Sequence, residues 1–253
     1  FYPPPTGFLA LCTKNLPDAD VIPSANFNAV IYSGASNDLS ITGVGFQPEF
    51  TWIKRRNATA EHQLMDVVRG ASKLLATDTT GAELDRTYFK SFDNDGFSVE
   101  TGVSNFNLNG STYVAWNWKA GGSASSNTNG TITSSVSANP SAGFSIASYT
   151  GNNTAGATIG HGLSQAPDWV IIKDRDNGST QWVHNPRGAL GANYYGYFTS
   201  GTFTADSSNV FWYDPTASIV KVSDHAEVNA SSTGYIMYCF HSVDGYLKVG
   251  SYV

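Results

Sequence analysis

Short runs in which apolar and polar residues alternate recur along the chain, separated by Gly, Asn, Asp and Ser. Alternation with a period of two is typical of a strand with one buried face, and the separating residues favour turns. Only residues 61–75 have a helix-like pattern, and we expect a short strand and a turn around Arg69-Gly70 there instead. The pattern predicts strands over 28–32, 50–55, 88–92, 97–100, 111–119, 145–149, 169–173, 193–199, 210–213, 218–222 and 234–241. Many short strands with turns between them predict an all-β protein of the β-sandwich or jelly-roll type.

The same series of residues occurs twice along the chain. The partners lie 117 residues apart at Phe27 and Phe144, 119 apart at Pro48 and Pro167, and 122 apart at Tyr113 and Tyr235. A spacing near 120 is far longer than the roughly 20 to 50 residues of a solenoid repeat, so each copy should be a domain. The series comprises Phe27, Tyr32-Ser-Gly34, Pro48 to Lys54, Arg69-Gly-Ala71 and Tyr113 to Trp118, matched by Phe144, Tyr149-Thr-Gly151, Pro167 to Lys173, Arg187-Gly-Ala189 and Tyr235 to Phe240.

We therefore predict two tandem, internally duplicated β-sandwich domains, at 23–122 and 143–245. A Gly-, Ser- and Asn-rich linker should join them over 123–142, in which 131–136 alternates weakly and could form a short edge strand. The proline-rich segment 1–22 is expected to lead in from an upstream domain. Residues 246–253 resemble the start of the second copy, so they predict either a third copy or a strand that pairs with a neighbour.

Charge and hydropathy argue against two classes of binding partner, nucleic acids and membranes. The net charge is −6 with a pI near 5.2, and the only basic cluster is Lys54-Arg55-Arg56, which argues against nucleic acid. No apolar stretch approaches the roughly 18 residues needed to cross a bilayer, so we expect a soluble protein without membrane insertion. Cys12 and Cys239 lie near opposite ends of the chain, and two buried, reduced thiols are favoured over a disulfide.

Two loops could in principle hold Ca²⁺. Asp93-Asn-Asp95-Gly96 and Asp174-Arg-Asp176-Asn-Gly178 each place carboxylates beside a glycine, but the same residues form hairpin turns for conformational reasons. Asp93 has a partner in Asp214, but Asp95, Asp174 and Asp176 have no acidic partner in the other copy, which favours turns. The five histidines lack the spacing of metal ligands, so we predict no metal site and no cofactor.

The sequence contains no strong motif of a catalytic site. A glycosidase needs two carboxylates across a cleft, and Glu83, Asp85, Glu100 and Asp168 are possible members, although nothing in the sequence pairs them. No nucleophile elbow or phosphate loop occurs. We predict that the chain is not an enzyme and assign no catalytic residue. The recurring Arg69 and Arg187 could grip a sugar carboxylate, but a structural salt bridge beside a tight turn is favoured.

Aromatic residues are the stronger indication of function. They make up 13% of the chain, and such rings stack on sugars or anchor protein interfaces. Trp52, Trp116, Trp118 and Trp169 lie within strand patterns and are expected in the core. Four aromatic residues lack a counterpart in the first copy and are the candidates for a ligand-binding surface: Trp182, Tyr194, Tyr195 and Trp212.

The chain also resembles a known group of proteins. Tyr2 to Pro17 resembles the segment that follows a SPRY-like, concanavalin-like domain in fibre proteins of tailed marine bacteriophages. The repeated motifs resemble the uncharacterised repeated domain of those proteins, and the run from Tyr113 to Gly122 is the most specific match. The resemblance covers nearly the whole chain and implies a β-rich component of a virion fibre, with no catalytic residues to carry over.

These observations predict a non-enzymatic structural or adhesive module of a virion fibre that presents loops to the host surface or to other virion proteins. Phage fibres are commonly homotrimers, so self-association is expected. The alternatives are a lectin-like domain that binds a host glycan and, less favoured, a polysaccharide depolymerase.

Overall fold

The computed structural model describes residues 21–191, 193–206 and 215–251. The all-β prediction is confirmed, because the regular structure in these residues is nearly all strand. The elements, besides one turn of 3₁₀ helix at Pro23–Ala25, are β1 (Phe27–Ser33), β2 (Leu39–Ile41), β3 (Phe50–Arg55), β4 (Gln63–Asp66), β5 (Lys73–Ala76), β6 (Leu84–Asp85), β7 (Phe89–Asp93), β8 (Gly96–Val99), β9 (Thr112–Trp118), β10 (Ser125–Asn127), β11 (Ser134–Asn139), β12 (Phe144–Thr150), β13 (Ala157–Gly160), β14 (Trp169–Asp174), β15 (Val183–Asn185), α1 (Arg187–Leu190), β16 (Tyr194–Tyr197), β17 (Phe203–Ala205), β18 (Ile219–Val222), α2 (Ala226–Asn229) and β19 (Gly234–Phe240).

Four antiparallel sheets stack as layers. The outer layers are a three-stranded sheet, β2-β8-β7, and a two-stranded sheet, β13-β18. The inner layers are a six-stranded sheet, β1-β9-β3-β4-β5-β6, and an eight-stranded sheet, β10-β11-β12-β19-β14-β15-β16-β17. A hydrophobic cluster fills each of the three spaces between neighbouring layers. Each inner sheet therefore buries apolar side chains on both of its faces.

The duplication in sequence is also a duplication in topology. Strands β1, β9, β3, β4, β5 and β6 occur in the same order as β12, β19, β14, β15, β16 and β17. Tyr32 stacks on Tyr113 with ring centroids 5.0 Å apart, and Tyr149 stacks on Tyr235 at 5.1 Å. Paired tyrosines of this kind fix the same strand register in both copies.

A buried asparagine closes the equivalent loop in each copy. The Asn107 side chain accepts from the backbone N–H of Ala35 and donates to the carbonyl of Asn37. Asn229 accepts from the backbone N–H of Asn152 and donates to the carbonyl of Thr154. Both asparagines are fully buried, so these hydrogen bonds satisfy groups that water cannot reach.

The segment predicted to be a linker differs from that expectation. Within 123–142, β10 and β11 extend the eight-stranded sheet, and β11 pairs with β12 along its whole length. Val136 and Ala138 of β11 pack on the core of the second copy. The possible edge strand at 131–136 overlaps β11, which continues to Asn139 and lies inside the sheet, whereas β10 was not expected because its residues are Ser and Asn.

The long predicted strands are confirmed, as are the strand and turn in place of a helix at 61–75, where β4 and β5 flank the turn around Gly70. The predicted strand 210–213 lies outside the described residues. Several strands of two to four residues, among them β2, β6, β13 and β17, were not predicted because so few residues carry no clear alternation.

A chain of charged side chains, buried at Asp66 and Arg69 and partly exposed at Glu83 and Arg175, joins the two copies. Arg69 Nε lies 2.6 Å from Asp66 Oδ2, and Arg69 Nη1 lies 3.1 Å from Glu83 Oε2. Glu83 Oε1 in turn lies 2.8 Å from Arg175 Nη2 of the second copy, and the Tyr238 hydroxyl donates to Asp66 at 2.7 Å. Burial alone would lower the pKa of Arg69, but the neighbouring acidic groups, with Asp66 foremost, raise it overall. The predicted structural salt bridge at Arg69 is therefore confirmed.

The two acidic loops are turns whose carboxylates bind the protein's own backbone. Asp95 accepts from the N–H groups of Gly45 and Gly43, and these bonds lower the pKa of its carboxyl group. Asp174 accepts from the N–H groups of Asp176 and Asn177. Among the described residues, no group of three His, Cys, Asp or Glu side chains is placed to hold a metal ion.

Cys239 is a free thiol in the core of the second copy, and burial raises its pKa. Cys12, the other cysteine of the chain, lies outside the described residues, so the structure does not test whether the two form a disulfide. In the part of the chain that the structure describes, no helix is long and apolar enough to span a membrane.

Candidate binding site

An aromatic cleft lies between the two inner sheets, where the copies face each other. Its volume is about 370 Å³, and four of the six tryptophans of the chain form part of its wall. The lining residues are Phe50, Trp52, Leu64, Trp118, Trp169, Ile171, Trp182, His184, Pro186, Phe198, Phe203, Tyr238, Phe240, Leu247, Lys248, Val249 and Gly250. Concave, mostly apolar cavities of this size are the usual form of a ligand site.

The first wall of the cleft is formed by side chains on one face of strands β3 and β9. In β3, Trp52 faces the cleft while Ile53 enters the core of the first copy, and in β9 Trp118 faces the cleft while Asn117 points to the other face. Trp118 packs between Phe27 and Phe50, at centroid distances of 4.7 and 5.1 Å. These contacts hold the indole in place.

The second wall repeats this arrangement on the other sheet. Phe240 of β19 packs between Phe144 and Trp169, at 4.8 and 5.3 Å. Phe198, which follows β16, bridges the walls because its ring stacks on Trp182 at 5.8 Å and on Trp52 at 6.3 Å. The cleft is therefore bounded by rings that already contact one another.

The indole N–H groups of three cleft tryptophans are engaged inside the protein. Trp52 Nε1 donates to His62 Nδ1 and Trp169 Nε1 donates to His184 Nδ1, both at 3.1 Å. Trp182 Nε1 donates to the carbonyl of Ala76 at 2.8 Å. These tryptophans thus offer ring faces and edges to a ligand rather than hydrogen-bond donors.

His184 is held neutral at the cleft wall. Burial lowers its pKa to about 4, and its Nδ1 accepts the Trp169 N–H, so the ring proton lies on Nε2. Burial, followed by the nearby positive charge of Lys54, also lowers the pKa of His62, the histidine that pairs with Trp52. The same indole–imidazole pair thus occurs in each copy.

The C-terminal segment borders the cleft. A bridge between Val243 and Leu247 closes a turn, after which Leu247 and Val249 pack against the aromatic layer. The Val249 N–H donates to Ser242 Oγ at 3.2 Å. Residues 246–251 contain no strand, and 252–253 lie outside the described residues, so the predicted third copy or pairing strand is not tested.

The four residues predicted to form a ligand-binding surface occupy different places. Trp182 is fully buried rather than exposed, and it lines the cleft with its indole N–H bound to the carbonyl of Ala76, so its role in ligand binding stays a prediction. Tyr194 is 38% exposed. It lies on the same face of β16 as Gly196, and because Gly196 pairs with the cleft residue His184, this face is the one toward the cleft. Tyr195 points to the opposite face and packs on the core of the second copy. Trp212 lies outside the described residues.

The cleft residues that the sequence did not single out are Trp52, Trp118, Trp169, His184, Phe198 and Phe203. The first three were expected in the core, and they do lie within strands, but they face the space between the copies. The possible catalytic carboxylates are engaged elsewhere. Glu83 pairs with two arginines, Asp85 with Lys73, Glu100 accepts from Thr87 Oγ1, and Asp168 accepts from the N–H of Ser242.

Comparison with known proteins places the chain in a family. Neither a search of curated proteins nor one of solved structures finds a match. A family model described as a domain of unknown function, DUF7483, matches residues 22–253. Since the match spans more than half of the sequence, including the whole described fold, the chain belongs to the DUF7483 family.

Proposed function

We propose that the chain is a non-enzymatic structural and adhesive module of a bacteriophage virion fibre. The observation that supports this most is the fusion of the two copies into one body. The aromatic layer between the inner sheets holds the copies together, and so does the chain of charges from buried Asp66 and Arg69 through Glu83 to partly exposed Arg175. A part that transmits force along a fibre needs such rigidity, whereas loosely joined domains would move relative to each other.

The engagement of the acidic side chains also supports a non-enzymatic role. A catalytic carboxylate needs access to substrate, but Glu83 is held between Arg69 and Arg175, and Asp95 caps two backbone N–H groups. The loops of the stacked sheets are then free to serve as contact surfaces for the host or for other virion proteins.

Labelling of intact particles tests this function. A gold-conjugated antibody raised against the purified chain is expected to decorate the fibres of virions whose genome encodes it. A second antibody against the major capsid protein controls for intact particles. Labelling confined to lysed-cell debris, with bare virions, would contradict the proposal.

Self-association is part of the proposal, because the edge strand β1 can accept another strand. Among the described residues β1 pairs only with β9, and Ile31 on this strand is 65% exposed. An uncovered edge with an apolar residue favours pairing between chains. Light scattering is expected to give a mass near three times the 27.0 kDa of one chain. Ile31→Lys should reduce that mass, whereas Leu84→Lys, on the edge strand β6, should not, because β6 offers only two residues for pairing. A monomeric parent protein would refute the assembly.

Carbohydrate binding is the second candidate, favoured by two exposed rings beside the cleft. Tyr194 and Phe203 are 38% and 43% exposed on neighbouring strands, and exposed rings can stack on sugar faces. A glycan array of host surface sugars is the test. Binding should be lost in Tyr194→Ala and kept in Leu84→Ala, which alters the corresponding edge of the first copy. An array without binding would exclude this candidate.

A further inference from the structure

We propose that the aromatic cleft binds a fatty-acid-like ligand, a single alkyl chain with a terminal carboxylate. This goes beyond the structural role, and it does not depend on where in a virion the protein resides. The cleft's volume of about 370 Å³ can hold one such chain, and its wall of tryptophan and phenylalanine rings matches apolar methylene groups.

The lining chemistry favours an alkyl chain over a sugar. A sugar ring needs several hydrogen-bond partners, but the N–H groups of Trp52, Trp169 and Trp182 are already engaged with the protein. Most other lining side chains are Phe, Leu, Ile, Val and Pro, which offer no hydrogen bonds. A buried hydroxyl without a partner costs free energy, whereas a methylene group gains it.

One charged group defines where the carboxylate should lie. Lys248 is exposed at the cleft and makes no ion pair with any described residue. Since His184 is neutral, Lys248 carries the only full charge among the described lining residues. A ligand with a carboxylate at one end can therefore keep its chain among the rings while its head remains at the solvent-exposed lysine.

Quenching of tryptophan emission by 12-bromododecanoate, used below its micelle-forming concentration, provides the test. Because four of the six tryptophans line the cleft, a bound bromoalkyl chain should quench most of the emission in a saturable manner. Unlabelled dodecanoate should compete more strongly than dodecanol. Lys248→Gln should weaken dodecanoate binding by up to about fivefold, the upper end of the range for an exposed ion pair, and leave dodecanol binding unchanged.

Two further variants control the measurement. Lys119→Gln removes another exposed lysine, outside the cleft, and should bind dodecanoate like the parent protein. Val249→Trp should fill the cleft and abolish saturable binding, with circular dichroism confirming the fold. The proposal is overturned if Val249→Trp leaves quenching unchanged, if both lysine variants weaken binding equally, or if quenching rises linearly without saturation.

Discussion

Replacing Asp66 with Asn tests whether the buried charges link the two copies. Asp66 is fully buried, and its Oδ2 accepts from Arg69 Nε at 2.6 Å and from the Tyr238 hydroxyl at 2.7 Å. Asn keeps the shape of the side chain but removes the negative charge that offsets Arg69. The remaining carboxylate near Arg69 belongs to Glu83, at 3.1 Å.

The structure sets the size of the effect. Removing one partner of a buried ion pair costs about 3–5 kcal/mol, because the other charge stays buried without compensation. Glu83 still offsets part of the charge on Arg69, so we expect the lower end of this range, about 3 kcal/mol. For a chain of this length that corresponds to a melting temperature lowered by roughly 6–12 °C.

Urea denaturation followed by tryptophan emission and circular dichroism is the assay. The control is Asp85→Asn, which breaks an ion pair with Lys73 in which 66% of the Asp85 side chain is exposed. Solvent screens that pair, so its loss should barely move the urea midpoint. Both copies should unfold together in one transition that shifts for Asp66→Asn alone. Equal midpoints for the two variants would refute a stabilising role for the buried network.

Three other predictions concern stability. Burial lowers the pKa of His184 from 6.5 to about 4, so the unfolded chain binds more protons between these values and the free energy of unfolding should fall as the pH drops through them. His184→Gln should recover about 2 kcal/mol of the stability lost between pH 7.5 and 5. An unchanged pH dependence of the urea midpoint in this variant would contradict the prediction. Asn107→Ala and Asn229→Ala should each cost about 1–3 kcal/mol in thermal unfolding, since both remove a fully buried side chain whose hydrogen bonds hold a partly buried loop, and an effect in one copy only would argue against equivalent roles. A Cβ at Gly34 or Gly151 would lie 2.2 Å from a carbonyl oxygen, so alanine at either position should lower the free energy of unfolding by about 1–3 kcal/mol. Gly250→Ala places its Cβ in open space and should leave thermal unfolding unchanged.

Strand prediction succeeded where the strands were long. Strands β1, β9, β12 and β19 each span seven residues, and each contains several aromatic or β-branched residues, which favour strands. The segment that holds β10 and β11 is predicted as a linker with a possible edge strand over 131–136, because Ser and Asn predominate in it, although pairing with β12 supplies the hydrogen bonds that stabilise β11. Local composition cannot report the presence of a partner strand.

The sequence by itself determined the β class, the duplication and the aromatic positions shared by the two copies. It could not determine which face of a sheet each ring occupies, because both inner sheets are apolar on both faces. In β9, Tyr113 enters the core of the first copy while Trp118 enters the layer between the copies, yet both are simply aromatic residues of one strand. Only the packing of one copy on the other decided that Trp52, Trp118, Trp169 and Trp182 meet in a single cleft, since that contact joins residues as distant in the chain as Trp52 and Trp182, which are 130 positions apart.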